Sequence, residues 1–120
     1  MADDALFIGW GAVVRGREQK ALEVFGETVR FWQDAQSNGR IEQFEPCFLQ
    51  PHGGGLDGFM LIHGERSQLD ALVASDEFNR LIARANAIVD EIGVVNAFCG
   101  NALARQMGFF QEASSELAAA

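Results

Sequence analysis

The residues that could do chemistry in this chain are few, and His63 stands first among them. It closes the run Leu56-Asp-Gly-Phe-Met-Leu-Ile-His63, an apolar segment of strand character. Asp57 shares its parity but lies roughly 20 Å away along an extended chain, so the two cannot pair. A partner must come from the neighbouring strand, residues 40–50 (RIEQFEPCFLQ). Two registers put Gln43 or Glu45 opposite His63, and a slip of one residue puts Phe44 there instead. A Glu45–His63 pair in a partly apolar cleft has the ingredients of a general base near neutral pH. The plainer alternative is a strand-end histidine bonded to backbone or water.

The other reactive groups form no recognisable catalytic set. His52 precedes three glycines in Pro51-His-Gly-Gly-Gly55 and reads as exposed at a hairpin tip. Two histidines without carboxylates or thiols at ligand spacing make no metal site. Cys47 and Cys99 sit in apolar runs and read as buried small hydrophobes, with a Cys47–His63 thiol–imidazole pair a minor alternative. No Ser-His-Asp set is visible, and the chain has no tyrosine. Asn96 is polar among apolar neighbours, and either faces a cleft or satisfies a bulge. Trp10, with Phe44 or Phe48, either walls an apolar pocket or packs in the core. The catalytic candidates are His63 and Glu45; the candidate ligand contacts are Trp10, Gln43, Cys47, Phe59 and Asn96.

Hydrophobic periodicity supplies the elements that must position these groups. Residues 5–14 (ALFIGWGAVV) read as a strand. From Arg17 the period lengthens: Leu22, Phe25, Val29 and Trp32 form one helical stripe, which should stop near Ser37-Asn-Gly39. Residues 40–50 form a second strand, and Pro46 argues for an edge position or a bulge. Residues 56–64 form the third strand, joined to the second as a hairpin. Ser67 is a good N-cap for the next helix, with Asp70 three positions on. Ser75-Asp76 reads as a second cap where that stretch breaks or kinks, and the main helix then runs from Phe78 to Ile92 and closes at Gly93. Residues 94–99 (VVNAFC) are the fourth strand. Leu103, Met107 and Phe110 mark a C-terminal helix, and the tail from Glu116 should fray.

The order β-α-β-β-α-β plus a tail helix predicts one α+β domain over residues 1–120, with its core in 5–100 and the helix and tail in 101–120. Right-handed crossovers put both helices on one face of a four-stranded antiparallel sheet, the ferredoxin-like arrangement. The strands do not alternate apolar with polar. Leu6, Ile8 and Trp10 oppose Phe7 and Val13; Met60 and Ile62 oppose Phe59 and Leu61; Val94 and Phe98 oppose Val95, Ala97 and Cys99. Both sheet faces therefore need burial, which predicts a homodimer through the open face, with the C-terminal helix clasping the partner or folding over its own subunit.

Composition removes other classes. A net charge of −8 with a single lysine, Lys20, argues against nucleic acid as a partner. No apolar run nears the about 18 residues needed to span a membrane, and the acidic start lacks the basic region of a signal peptide, so a cytoplasmic setting is expected. No G-x-G-x-x-G follows a strand into a helix, which disfavours flavin and nicotinamide. No cofactor is expected.

The topology, the His52-Gly-Gly-Gly55 turn, Gly64-Glu65 before the second helical region and Ser75-Asp-Glu-Phe78 opening the main helix together resemble the dimeric α/β-barrel superfamily over roughly residues 5–112. That group includes the antibiotic-biosynthesis-type monooxygenases. The resemblance implies the dimeric ferredoxin-like fold, while fold alone does not fix function. Haem-degrading members use a helix histidine on iron, and the stretch from Ser67 to Ile92 has none, so haem is not expected. The leading expectation is a homodimeric binding or accessory domain with a cleft for a small apolar or aromatic molecule between helices and sheet. The alternatives are a cofactor-independent monooxygenase or an isomerase/lyase on an aromatic, polyketide-like substrate, and a structural dimer with no ligand.

Overall fold

The computed structural model describes residues 2–119; Met1 and Ala120, the ends of the expected domain span, lie outside them. Its elements are β1 (Asp4–Trp10), α1 (Glu18–Ser37), β2 (Gln43–Phe48), β3 (Gly58–His63), α2 (Arg66–Val73), α3 (Asp76–Asn86), β4 (Gly93–Phe98) and α4 (Gly100–Ala119). The strands form one antiparallel sheet in the order β2-β3-β1-β4. This is the ferredoxin-like α+β fold with an added C-terminal helix. Pro46 lies on edge strand β2, where a missing N–H costs no ladder bond.

The core lies between the sheet and the first three helices. Leu6, Ile8, Met60 and Ile62 project from the strands to meet Phe31, Trp32 and Ala35 of α1, Leu69 and Leu72 of α2, and Phe78 and Leu81 of α3. Trp32 is fully buried and crosses Phe31 edge-on at 4.9 Å and Phe78 at 5.9 Å. Such edge-to-face contacts add to the area that large rings bury.

Four local expectations are corrected. The first helix of the α2–α3 pair is capped at Glu65 and begins at Arg66, so Ser67 lies inside it. Arg66 holds that first turn in place: its guanidinium donates to the Ala5 carbonyl at 3.1 Å and to Asn96 Oδ1 at 2.6 Å, with Asp4 and Asp70 alongside. The break falls at Ser75 as its chemistry demands, with the Phe78 N–H donating to the Ser75 hydroxyl oxygen.

The main helix stops at Asn86, well short of Ile92. The β-branched run beyond it instead pairs with the chain leaving β1. Gly11 N–H donates to Asp90 O at 2.7 Å, Val14 N–H to Ile88 O at 2.8 Å, and Val13 bridges Val89. The same pairing explains why β1 ends at Trp10 and not at Val14. Gly11 is needed there, because a Cβ would sit 2.8 Å from the Gly55 carbonyl oxygen.

At the C-terminus, α4 stays helical through Ala119, past the point where fraying was expected. Its first turn packs against β4 and is tied to Asp3 by the Asn101 N–H, and from Asn101 to Ala118 every residue is exposed except the half-buried Ala102 and Gln106.

Candidate functional site

Strand parity sorts the candidate residues before any side chain is considered. In the β2–β3 ladder Gln43 stands opposite His63, Glu45 opposite Leu61 and Cys47 opposite Phe59. In the β1–β3 ladder Ala5 opposes His63, Phe7 opposes Leu61 and Gly9 opposes Phe59. All of these side chains share the face turned away from the helices, since the alternate residues Leu6, Ile8, Met60 and Ile62 belong to the core. Val95 and Ala97 extend that outer face on β4. Phe7 and Phe59 stack on it at 5.6 Å.

Of the two registers that pair a polar residue with His63, the molecule adopts the one that selects Gln43. Glu45 therefore does not stand opposite His63, and the direct Glu45–His63 pair is replaced by a diagonal relation. Cys47 lies four residues along from His63, roughly 13 Å at strand rise, which rules out a thiol–imidazole pair. The His63 Nδ1 atom is buried with no hydrogen-bond partner. His52 is exposed, as its turn suggested, and organises the loop: Nδ1 accepts from Gly54 N–H at 3.3 Å, and Nε2 lies 2.8 Å from the Leu56 carbonyl.

Trp10 and Asn96 fall on the other parity, toward the helices. They do not come together either. Asn96 pairs with Leu6 near one end of the sheet and is held by Arg66. Trp10 pairs with Gly58 at the opposite end. There the helices stand off the sheet and leave a cavity of about 320 Å³.

The cavity follows from side-chain size along the helices. The C-terminal half of α1 presses Phe31, Trp32 and Ala35 into the core. Its first three turns present Ala21, Leu22, Phe25 and Thr28 to the cavity, and Leu22 remains 66% exposed. On the far side α3 offers Ile82 and Ala85, followed by Ile88, Val89 and Ile92. Small residues at 21, 28 and 85 leave unfilled the space that large ones would close. The sheet forms the floor with Ile8, Met60 and Trp10, and Phe48 stands at the rim, 68% exposed. Trp10, Phe25 and Phe48 make one aromatic wall, with Phe25 and Phe48 4.8 Å apart and Trp10 edge-on to both at 6.1 and 6.2 Å.

Only two lining residues have strongly polar side chains. The Thr28 hydroxyl donates to the Val24 carbonyl at 2.8 Å. Glu18 accepts from the Gly16 N–H through both carboxylate oxygens, at 2.9 and 3.0 Å. The arrangement can desolvate and sandwich a flat apolar molecule; it brings no general base, nucleophile or anion-binding group to bear on one beyond Glu18. Among the described residues no cluster of three or more His, Cys, Asp or Glu side chains could hold a metal ion, and no helix is long and apolar enough to cross a membrane.

Sequence reasoning reached Trp10 and Phe48 as a possible pocket wall. It missed the α1 and 82–92 walls because Leu22, Phe25, Ile82, Ile88 and Val89 have the spacing of ordinary core. The available signal was the interruption of that stripe by Ala21, Thr28 and Ala85.

No protein-family model matches the sequence, and no curated protein matches it. Solved structures do match in shape. SnoaB, a cofactor-independent oxygenase from Streptomyces nogalater, superposes with a TM-score of 0.56 at 15% identity, over 82% of this chain and 95% of its own. An antibiotic biosynthesis monooxygenase gives 0.54 at 19% identity, over 80% and 98%. A dimeric protein of unknown function and ferredoxin-like fold from Bacteroides fragilis gives 0.57 at 8% identity, over 80% and 96%. The chain thus shares the ferredoxin-like fold of dimeric and monooxygenase-type proteins, at identities that speak for fold and not for activity.

Proposed function

We propose that this protein is a homodimeric small-molecule-binding domain, each subunit holding one flat apolar or aromatic ligand between α1, the 82–92 segment and the helix-facing side of the sheet. The cavity beside Trp10 carries this reading. An opening of about 320 Å³ walled by three aromatic rings and a bank of aliphatic side chains has the size and lining of a ligand site and not of a packing flaw. A dry cavity of roughly 150 Å³ lined by Leu, Ile and Phe is enough for benzene, so this one suits about two fused rings.

Dimerisation is supported by the other sheet face. Phe7, Phe59, Leu61 and Val95 lie together there with Val95 56% exposed, an apolar surface that a second copy would cover. In that dimer Gln43, Cys47, Phe59 and His63 become interface residues, and Trp10 alone of the expected ligand contacts touches the ligand. The exposed Leu103, Met107, Phe110 and Leu117 recur along α4 at helical spacing, and a helix lacking tertiary support is marginal in water. A partner subunit supplies that support.

The second reading is a cofactor-independent monooxygenase acting on an aromatic substrate in the same cavity, favoured by the ring wall around Trp10 and by the fold shared with SnoaB. It draws no support from His63, which lies on the opposite side of the sheet from the cavity. An isomerase or lyase that needs His63 as base at this cavity is unsupported for the same reason.

The test is titration with naphthalene, followed by Trp fluorescence and thermal shift, alongside sedimentation equilibrium. The proposal expects saturable quenching and a species of twice the 13.1 kDa subunit mass. No quenching at the solubility limit would remove the ligand site, and a 13.1 kDa species would remove the dimer.

A further inference from the structure

The cavity's one ionised side chain bears on what its ligand carries at the polar end, an inference that rests on the ligand-binding reading above. Glu18, the first residue of α1, lines the opening, and its two oxygens are fixed by the Gly16 N–H. Gly16 has φ of 90°, a conformation open to glycine, which turns the chain so that its N–H faces back onto Glu18. A carboxylate offers about four lone-pair positions, so this tether leaves acceptor capacity free while holding the group in place. No ion pair joins Glu18 to a cation among the described residues. No cationic side chain lines the cavity opposite it, and the other strongly polar side chain there, Thr28, already donates its hydroxyl hydrogen to Val24 O.

The geometry points to a hydrophobic amine as the ligand class: two fused or linked rings against the Trp10–Phe25–Phe48 wall, ending in a protonated nitrogen that reaches Glu18 at the rim. The rings favour the same sign of charge, because aromatic faces carry negative potential toward a cation. The chain's net charge of −8 biases encounter in the same direction. A carboxylate at that end would face the Glu18 charge with no cationic side chain lining the cavity to offset it.

The test compares three probes on one scaffold: naphthalene, 2-naphthylmethylamine and 2-naphthoate, titrated by Trp fluorescence on the wild-type protein and on Glu18→Gln. Glutamine keeps an oxygen to accept the Gly16 N–H, so the loop is retained while the charge is lost. A rim ion pair supports a preference of about 3-fold for the amine over naphthalene, and about 10-fold for the amine over the acid. In Glu18→Gln the amine and the acid should bind within about 2-fold of each other, and raising salt on the wild type should narrow the gap likewise. Equal binding of amine and acid to the wild type, or an unchanged order in Glu18→Gln, overturns the inference while leaving the cavity intact. Failure of naphthalene itself to bind removes the ligand-binding reading, and this inference with it.

Discussion

Filling the cavity separates a built ligand site from ordinary core more sharply than emptying it. Ala85 lies on α3, half-buried, with its methyl group lining the space between that helix and α1. Ala85→Leu adds three carbons, and leucine nearly matches alanine in helix propensity, so the backbone term is close to zero. In a close-packed interior such an addition costs about 1–3 kcal/mol through strained rotamers and backbone shifts. Here the three carbons enter an opening of about 320 Å³. Each buried methylene is worth about 0.8 kcal/mol, and the cavity is open at one end, so a gain of about 1 kcal/mol is expected. The melting temperature should then rise by about 4 °C. Affinity for naphthalene should fall about 10-fold or more, since the new side chain occupies the ligand's space. Urea denaturation and fluorescence titration on the same samples give both quantities. A loss of stability of about 1–3 kcal/mol with unchanged affinity would refute the reasoning, because it would mean that α1 and α3 close together at Ala85.

Three further substitutions probe other parts of the architecture. Leu61→Lys places a cation opposite Glu45, a favourable cross-strand pair, while burying charge in the proposed dimer face; sedimentation should show the 13.1 kDa monomer with unchanged circular dichroism, and a persistent dimer would count against sheet-to-sheet association. His63→Ala should leave naphthalene affinity within about 2-fold, because an exchange on the outer sheet face does not touch the cavity; a loss of about 10-fold would place the ligand on the wrong side of the sheet in this account. Ser75→Ala removes the acceptor of the Phe78 N–H and should cost about 1 kcal/mol in urea denaturation, and a neutral result would show that α3 needs no cap there.

The fold was legible because its signals are local and redundant. Two changes of hydrophobic period, Pro46, the His52 glycine turn and Ser75 each constrain one boundary, and all point to the same chain order. What escaped was decided by contacts remote in sequence. Nothing near Ile88 announces that it will bond to Val14, so a stripe running to Ile92 reads as one helix. Likewise, nothing near Ser67 shows that Arg66 will anchor to Ala5 and Asn96, thirty or more residues away, and draw the helix start forward.

The candidate site was less legible for a different reason, which parity makes plain. A period of two lets sequence say which residues share a face, but not which face the helices cover when both are apolar. Parity along β3 put His63 and Phe59 on one face, and the register adds Cys47 to them; Trp10 was set beside Cys47 and Phe59 as a ligand contact, although it is one residue beyond Gly9, the β1 partner of Phe59, and so points to the other face. Once α1 settles on the Leu6–Ile8–Trp10 side, a single base–ligand site spanning both sets becomes geometrically impossible within one subunit. The two faces must then serve separate ends. The outer face, proposed to meet a second subunit, keeps the exposed Gln43 and Glu45 at its margin, where water remains. The helix-facing side, proposed to enclose a ligand, has one carboxylate at the rim of its cavity, and Glu18 supplies it from the helix and not from the sheet.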